Sequence, residues 1–329
     1  MSTSPDMLRQ FGGAPVGSAF GWKTDSKVWF VDGAAGKPGG DATSPERAID
    51  SVGAAIALAS AYDVIYVLEH GFSGTDPVSY AETVANLTIP IASAGLAIVG
   101  VTHQSQKCRP LSPYIAGMAA TATPILTINA PLCAIENLAF TGGWNNATTC
   151  TAGIYLPDSV EGTAVPQGTS IYNCSFEDMS GNSSYGSIYA IGSWYINIVK
   201  TYHRNCVYAV DWGSSTSTAL GLHVDDITTE ADAVTKVSAD IYLYTQGQSG
   251  IVIKNADFAH QIGTATGIHG GHKRYIVANG SERGLISNVN MAAAAAVTIG
   301  AAGTGIFAPI TVRYGPCWDG NAATCAIAD

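Results

Sequence analysis

A short pattern recurs along this chain, and its period limits the fold more than any other feature. An apolar residue, any residue, Asn, a small or apolar residue, any residue and a large apolar residue follow one another in Ile135-Glu136-Asn137-Leu138-Ala139-Phe140. The pattern returns as Ile171-Tyr172-Asn173-Cys174-Ser175-Phe176, as Ile253-Lys254-Asn255-Ala256-Asp257-Phe258 and as Ile286-Ser287-Asn288-Val289-Asn290-Met291. Weaker copies are His203-Arg204-Asn205-Cys206-Val207-Tyr208 and Val224-Asp225-Asp226-Ile227. In this alignment the key position falls at 137, 173, 205, 226, 255 and 288, in steps of 36, 32, 21, 29 and 33 residues. Such a spacing, with short alternating strands in every copy, is the mark of a solenoid, whose units bury their apolar faces only by stacking. The alternation turns Ile, Leu, Val and Phe inward and their polar neighbours outward. Asn at one fixed place suits a turn of left-handed geometry, or a stack of side-chain amides bonded along the axis. The sequence leaves both roles open.

The residues before the repeats read differently. Residues 1–26 are punctuated by Gly, Ser and Pro with little period and read as an N-terminal arm, either mobile or ordered against a partner. Val28-Trp29-Phe30-Val31-Asp32 reads as a strand, and Gly33 to Thr43 as a glycine-rich loop. Ser44-Pro45-Glu46 has the form of a helix start, with Ser44 as N-cap. Ala48, Val52, Ala55, Ile56 and Ala59 follow at helical spacing, which predicts a helix over 45–61. Asp63-Val64-Ile65-Tyr66-Val67 is the next strand, and Leu96-Ala97-Ile98-Val99-Gly100-Val101 comes after it. This order resembles the opening of right-handed parallel β-helix proteins of the pectate-lyase-like superfamily. The resemblance implies that the helix caps the open end of the solenoid. The expected fold is therefore all-β, a right-handed parallel β-helix over residues 27–291 with an N-terminal capping α-helix and an arm. Residues 292–329 depart from the pattern and are expected to close the far end.

Composition narrows the function classes. Charged residues are 12 % of the 329, about half the usual share, and the formal net charge is −10. A general nucleic-acid binder would show a basic stripe, so no nucleic-acid partner is expected. Met1 to Ser18 lacks the basic-then-apolar order of a secretory signal, and the apolar runs at 52–61 and 292–302 are too short for a bilayer. The expectation is a soluble chain with no membrane insertion. The seven cysteines are spread out with no Cys-x-x-Cys, which argues against a zinc site. Cys317 and Cys325 flank a Gly-Asn turn and can pair, or all seven are free thiols packed as small apolar groups.

The superfamily carries polysaccharide lyases, glycosidases and phage tailspike or capsid-decorating proteins on one scaffold, so the resemblance is specific for fold and weak for activity. Polygalacturonase-like members carry a tandem Asp, a Gly-His-Gly and an Arg-x-Lys. Here Asp225-Asp226 is followed by Ile268-His269-Gly270-Gly271-His272-Lys273-Arg274, which lacks the first glycine and the Arg-x-Lys. If the chain is an enzyme, Asp225, Asp226, His269 and Arg274 are the candidates for the acid and base work of sugar cleavage. Neighbours on a strand face opposite ways, so only one of the two aspartates should face a groove. Lyase members hold calcium on aligned acids; here Glu177, Asp178, Asp211, Glu230, Asp232, Asp240 and Asp257 share no register. His269 and His272 read as a surface loop, and no metal or other cofactor is expected. Aromatic residues gather in the middle coils, among them Trp144, Tyr185, Tyr189 and Trp194. They suit a subunit contact, or a platform for sugar rings.

The sequence therefore points to a structural virion protein. It would be a homotrimeric phage head-decoration or spike protein at the particle surface, gripping the major capsid protein or another virion protein through its arm. Uncharged faces that pack on copies of themselves fit that role. The alternatives are a tailspike-like polysaccharide depolymerase, or a fibre that binds a host glycan without turnover. Asn137, Asn173, Asn205, Asn255 and Asn288 are the expected structural ladder.

Overall fold

The computed structural model describes residues 26–314 apart from 69–71, 74–75, 78, 81–85, 102–113, 117–122, 143–150, 159–165, 180–185, 215–218, 232–239, 244–249, 261–275, 279–282, 292–304 and 308–312. The chain winds as a right-handed parallel β-helix. Each complete coil gives two strands to one long parallel sheet and a third to a seven-stranded sheet opposite. One such coil is Ala134–Glu136, Ala139–Thr141 and Ile154–Leu156; the next is Ser170–Tyr172, Ser175–Glu177 and Ile188–Ala190. The register between coils is unbroken, with Ala134 opposite Ser170 and Ser170 opposite Asn197.

That register turns the sequence alternation into vertical columns. Ile65, Ile98, Ile135, Ile171, Ile198, Val224, Ile253 and Ile286 stack one above another inside the coils, all fully buried. A second inner column runs Tyr80, Ile115, Phe140, Phe176, His203, Thr229 and Phe258. Its Phe140 and Phe176 rings lie nearly parallel with centroids 5.2 Å apart. Burying each of these large apolar side chains contributes roughly 1.5–3 kcal/mol. Leu96, Cys133 and Thr169 hold another inner position, and the thiols of Cys133, Cys174 and Cys206 are buried and free. Burial pushes all three thiols up to about 12, so they act as small apolar groups.

The N-terminal end differs from the expected single helix. A 3-10 turn, Pro45–Arg47, is followed by an α-helix, Val52–Leu58. Ser44 makes no side-chain cap; Ser51 caps instead, its Oγ accepting from the Ala54 N–H at 3.2 Å. The break between the two turns has a cause in the first strand, Val28–Val31, whose outer edge no other strand among the described residues covers. Ile49 closes that edge: its N–H donates to the Phe30 carbonyl and its carbonyl accepts from the Asp32 N–H. A residue pairing with a strand must be extended, so the helix waits until Val52. Asp63 locks the first full coil. Its carboxylate accepts from the Lys27 and Ser60 N–H groups and from Trp29 Nε1, all within 2.9 Å. At the far end, pairing runs past residue 291. Gly305–Phe307 and Arg313–Tyr314 both pair in parallel with Arg283–Met291, inside the stretch expected to close the solenoid. The arm, and Cys317 with Cys325, lie outside the described residues. Among the described residues no helix is long and apolar enough to cross a membrane.

Coils approach closely where Gly100 meets the next turn. A β-carbon there would lie 2.0 Å from the Asn137 carbonyl oxygen, a backbone atom that cannot swing aside. Gly100→Ala should therefore destabilise the fold by on the order of 3 kcal/mol through overpacking. The check is the urea midpoint at unchanged slope; a midpoint equal to that of the parent would refute the close approach.

Candidate functional site

The polar outer face of the long sheet, with the turns beside it, carries most of the residues singled out in the sequence. Between two strands of the long sheet, or within the single long strands Ile251–His260 and Arg283–Met291, one residue at the matching place of six successive coils has positive φ: Asn137 (56°), Asn173 (50°), Lys200 (56°), Asp226 (63°), Asn255 (52°) and Asn288 (53°). Left-handed backbone is costly for most residues and least so for Gly, Asn and Asp. The backbone bonds fix the equivalence, since the N–H groups of Asn137, Asn173, Lys200 and Asp226 each donate to the matching carbonyl of the next coil. Asn205 was expected in this column and is not in it. Lys200 holds that coil's place, so the steps are 36, 27, 26, 29 and 33 residues. Asn205 belongs with Asp178 one strand later, both with positive φ, and its Nδ2 donates to Asp178 Oδ1 at 3.2 Å. The true spacing was hidden because Lys carries no mark of a left-handed turn.

Side-chain amides bond along the axis in two runs. Asn173 Nδ2 donates to Asn137 Oδ1 at 2.7 Å. Asn288 Nδ2 donates to Asn255 Oδ1, and Asn255 Nδ2 donates in turn to Asp225 Oδ1 at 2.8 Å. Both roles left open for this Asn, the turn and the amide stack, thus occur together.

The tandem aspartates part company here. Asp225 ends a strand and points outward, where Lys254 Nζ lies 3.1 Å from its Oδ2. Partial burial would raise its pKa, but the Asn255 amide and the Lys254 ammonium outweigh that and hold the carboxyl below its ordinary range. Asp226 is the turn residue itself, near enough to Lys200 to favour that ammonium's charge. The two do not form an acid–base pair across a groove. Further along the face, Arg204 lies 4.0 Å from Glu177, and Tyr202 Oη donates to Glu230 Oε2 at 2.5 Å. His269 and Arg274 lie outside the described residues, as do Trp144 and Tyr185. No group of three His, Cys, Asp or Glu among the described residues is placed to hold a metal ion.

The aromatic candidates that are described take two forms. Tyr189 stands on the outer face of the seven-stranded sheet, stacked on Tyr155 with centroids 5.3 Å apart and planes 18° apart. Rings stacked along the axis present edges outward, not faces, so this pair is no platform for a sugar ring. Trp194 and Tyr195 lie at a turn and are 39 % and 62 % exposed, close to Leu132 at 40 %. Leu132 and Tyr195 belong to a second left-handed column, Tyr62, Gly95, Leu132, Gly168, Tyr195, Gly221 and Gly250, and Trp194 immediately precedes it. Large residues and glycines alternate through most of it because each large side chain lies where a glycine's β-carbon would be. That β-carbon would come within 2.7 Å of Leu132 at Gly168 and within 2.6 Å of Tyr195 at Gly221.

Two acids were not singled out by any motif and are the most perturbed. Asp211 follows Tyr189 in the outer column and precedes Tyr242, only 3 % exposed, with Oδ1 lacking a hydrogen-bond partner. Burial pushes its carboxyl from 3.8 up to about 8. Glu136, beside Val99 and Tyr172, is pushed by burial from 4.5 up to about 7. Only the burial of a nominally outward position distinguishes them, and that depends on contacts far apart in sequence.

No family model matches the chain, and no curated protein does. Among solved structures it is similar to the crystal structure of a pectin methylesterase from Aspergillus niger, with a TM-score of 0.50 and 13 % identity over 94 % of this chain and 93 % of that one. At that identity the likeness shows the fold alone, a right-handed parallel β-helix.

Asp211 also fixes a pH response. The folded chain keeps a proton that the unfolded chain releases above about pH 4, so this stabilisation is complete below pH 3.8 and is lost as pH rises through about 8. Asp211→Asn should match the parent near pH 4. At pH 9 it should exceed the parent by on the order of several kcal/mol, since each tenfold change in proton affinity between the two states is worth about 1.4 kcal/mol. Urea denaturation at the two pH values decides; a variant weaker than the parent at pH 9 would mean that the carboxylate is stabilised where it sits.

Proposed function

We propose that this chain is a non-catalytic structural protein of a bacteriophage particle, a homotrimeric head-decoration or spike protein that docks through its N-terminal region. The observation that carries the reading is how the outer acids of the long sheet are used. Asp225 is bound by Asn255 and Lys254, Glu177 lies by Arg204, and Glu230 accepts from Tyr202. These contacts tie one coil to the next and stiffen a rod, whereas hydrolysis of a sugar link wants two carboxyl groups facing one cleft. The low charge and the exposed Leu132, Trp194 and Tyr195 support burial of that edge against copies of the same chain. Residues 1–26, read as an arm ahead of the capped end, are the part suited to gripping an underlying shell.

A second reading, a carbohydrate-directed protein, is favoured by one observation. One similar solved structure is a pectin methylesterase, and adjacent exposed Trp and Tyr side chains are the kind that pack on sugar rings. The two readings diverge under one variant. Trp194→Ser combined with Tyr195→Asn should shift the native mass of the full chain from trimer to monomer and leave binding to a glycan panel unchanged at background. A native mass that stays put, with loss of a measurable glycan signal, would replace the structural reading with the carbohydrate one. Release of reducing ends or methanol from polysaccharide by the parent chain would exclude the non-catalytic reading.

A further inference from the structure

One group in the interior is of the wrong kind for its place. His203 continues the inner aromatic column, its ring 4.9 Å from that of Phe176 and within 10° of parallel. It is 1 % exposed. Nε2 lies 3.0 Å from Thr201 Oγ1, and Nδ1 has no hydrogen-bond partner. On the next coil the same column holds Thr229, whose Oγ1 is also buried without a partner. Two adjacent rungs thus interrupt an otherwise apolar column with unmet polar atoms.

Among the described residues the surroundings give an imidazolium no carboxylate to pair with. The preceding coil turns Phe176 toward the ring and Glu177 outward to Arg204. The following coil turns Thr229 inward and Glu230 outward to Tyr202. Cys174 and Cys206, the nearby thiols, are held neutral by burial. The facing sheet contributes Ile188, Ala190, Val210 and Trp212, while Asp211 points to its outer side. Burial pushes the imidazole from 6.5 down to about 3.

We propose that the His203–Thr229 step is an acid-labile joint in the solenoid, closed while the imidazole is neutral and opened when acid favours its protonated form. Opening separates the strand Tyr202–Arg204 from Thr228–Ala231, which are joined there by bonds such as Thr228 N–H to the Thr201 carbonyl. This goes beyond the proposed structural role and does not depend on it. The sign follows from linkage: the closed state binds fewer protons than the open one between pH 6.5 and about 3, so closure weakens as pH falls through that window. Glu136 and Asp211 act in the opposite sense over part of it, but on the outer faces of other strands.

The test is amide hydrogen exchange of the full chain at pH 7 and pH 4.5, corrected for the intrinsic rate. In the parent, the open population at the 202–204 and 228–231 amides should rise by about 100-fold between the two pH values. His203→Phe, which extends the Phe140–Phe176 stack, should abolish that rise while the amides of Ile65 and Ile98 respond as before. If the Phe variant does not fold, the His203 ring resonance of the parent replaces it, identified through its contacts to Phe176. A ring still neutral at pH 4.5 beside accelerated exchange supports the joint. A rise that survives in the Phe variant, or a ring that titrates near 6.5 with exchange unchanged, overturns it.

Discussion

Apart from one short antiparallel pair, Phe72–Ser73 with Asp76–Pro77, each described strand finds its hydrogen-bond partners one coil away at a fixed parallel register, and everything else follows from that. A slip of one residue would turn an entire coil inside out. The register is held because the coils agree position by position. Isoleucine stands on isoleucine through Ile98, Ile135, Ile171 and Ile198, and Phe140 stands on Phe176. A side chain is therefore selected less by its neighbours in sequence than by the residues above and below it.

The same rule governs the corners. A coil can change direction sharply only where the backbone is left-handed, and the structure solves the problem in two ways. Along the long sheet, Asn and Asp accept the geometry and the Asn side chains bond along the axis. At the corner before those strands, glycine accepts the geometry by having no side chain, and the space is used by Tyr62, Leu132 and Tyr195 of adjoining coils. The first solution makes a polar seam, the second an apolar ridge that is partly exposed. The two seams lie at opposite ends of the same short strands, so one surface of the rod is polar and hydrogen-bonded while the next carries Trp194 and Tyr195.

These columns explain what the sequence revealed and what it concealed. The positions of Asn137, Asn173, Asp226, Asn255 and Asn288 were legible because the residue type itself is adapted to the turn. Lys200 was not, since its place is imposed by the coils on either side, and Asn205 drew the alignment to the wrong corner. The helix was legible as apolar periodicity, but its start was misplaced because Ile49 is needed to close the edge of the first strand. The grip of Asp63 on Lys27, Trp29 and Ser60 left no trace beyond a polar residue before a strand. Tyr80, whose hydroxyl bonds both the Leu68 carbonyl and the Gly33 N–H beneath the cap, was equally silent. Glu136 and Asp211 looked like ordinary solvated acids because outward on a strand normally means wet.

One of the two amide runs ends on an unsatisfied donor. Asn137 accepts from Asn173 but its own Nδ2, which is buried, has no partner. The coil before it offers Gly100 at the matching place, and no larger residue fits there without striking the Asn137 carbonyl. The close approach that brings the two coils into register thus removes the acceptor that would have completed the run. The other run ends instead on Asp225, whose carboxylate Lys254 also meets, whereas apolar columns have no such ends to satisfy. Extension of the rod by further coils is therefore cheapest through isoleucine and phenylalanine columns. Amide ladders are confined to short runs.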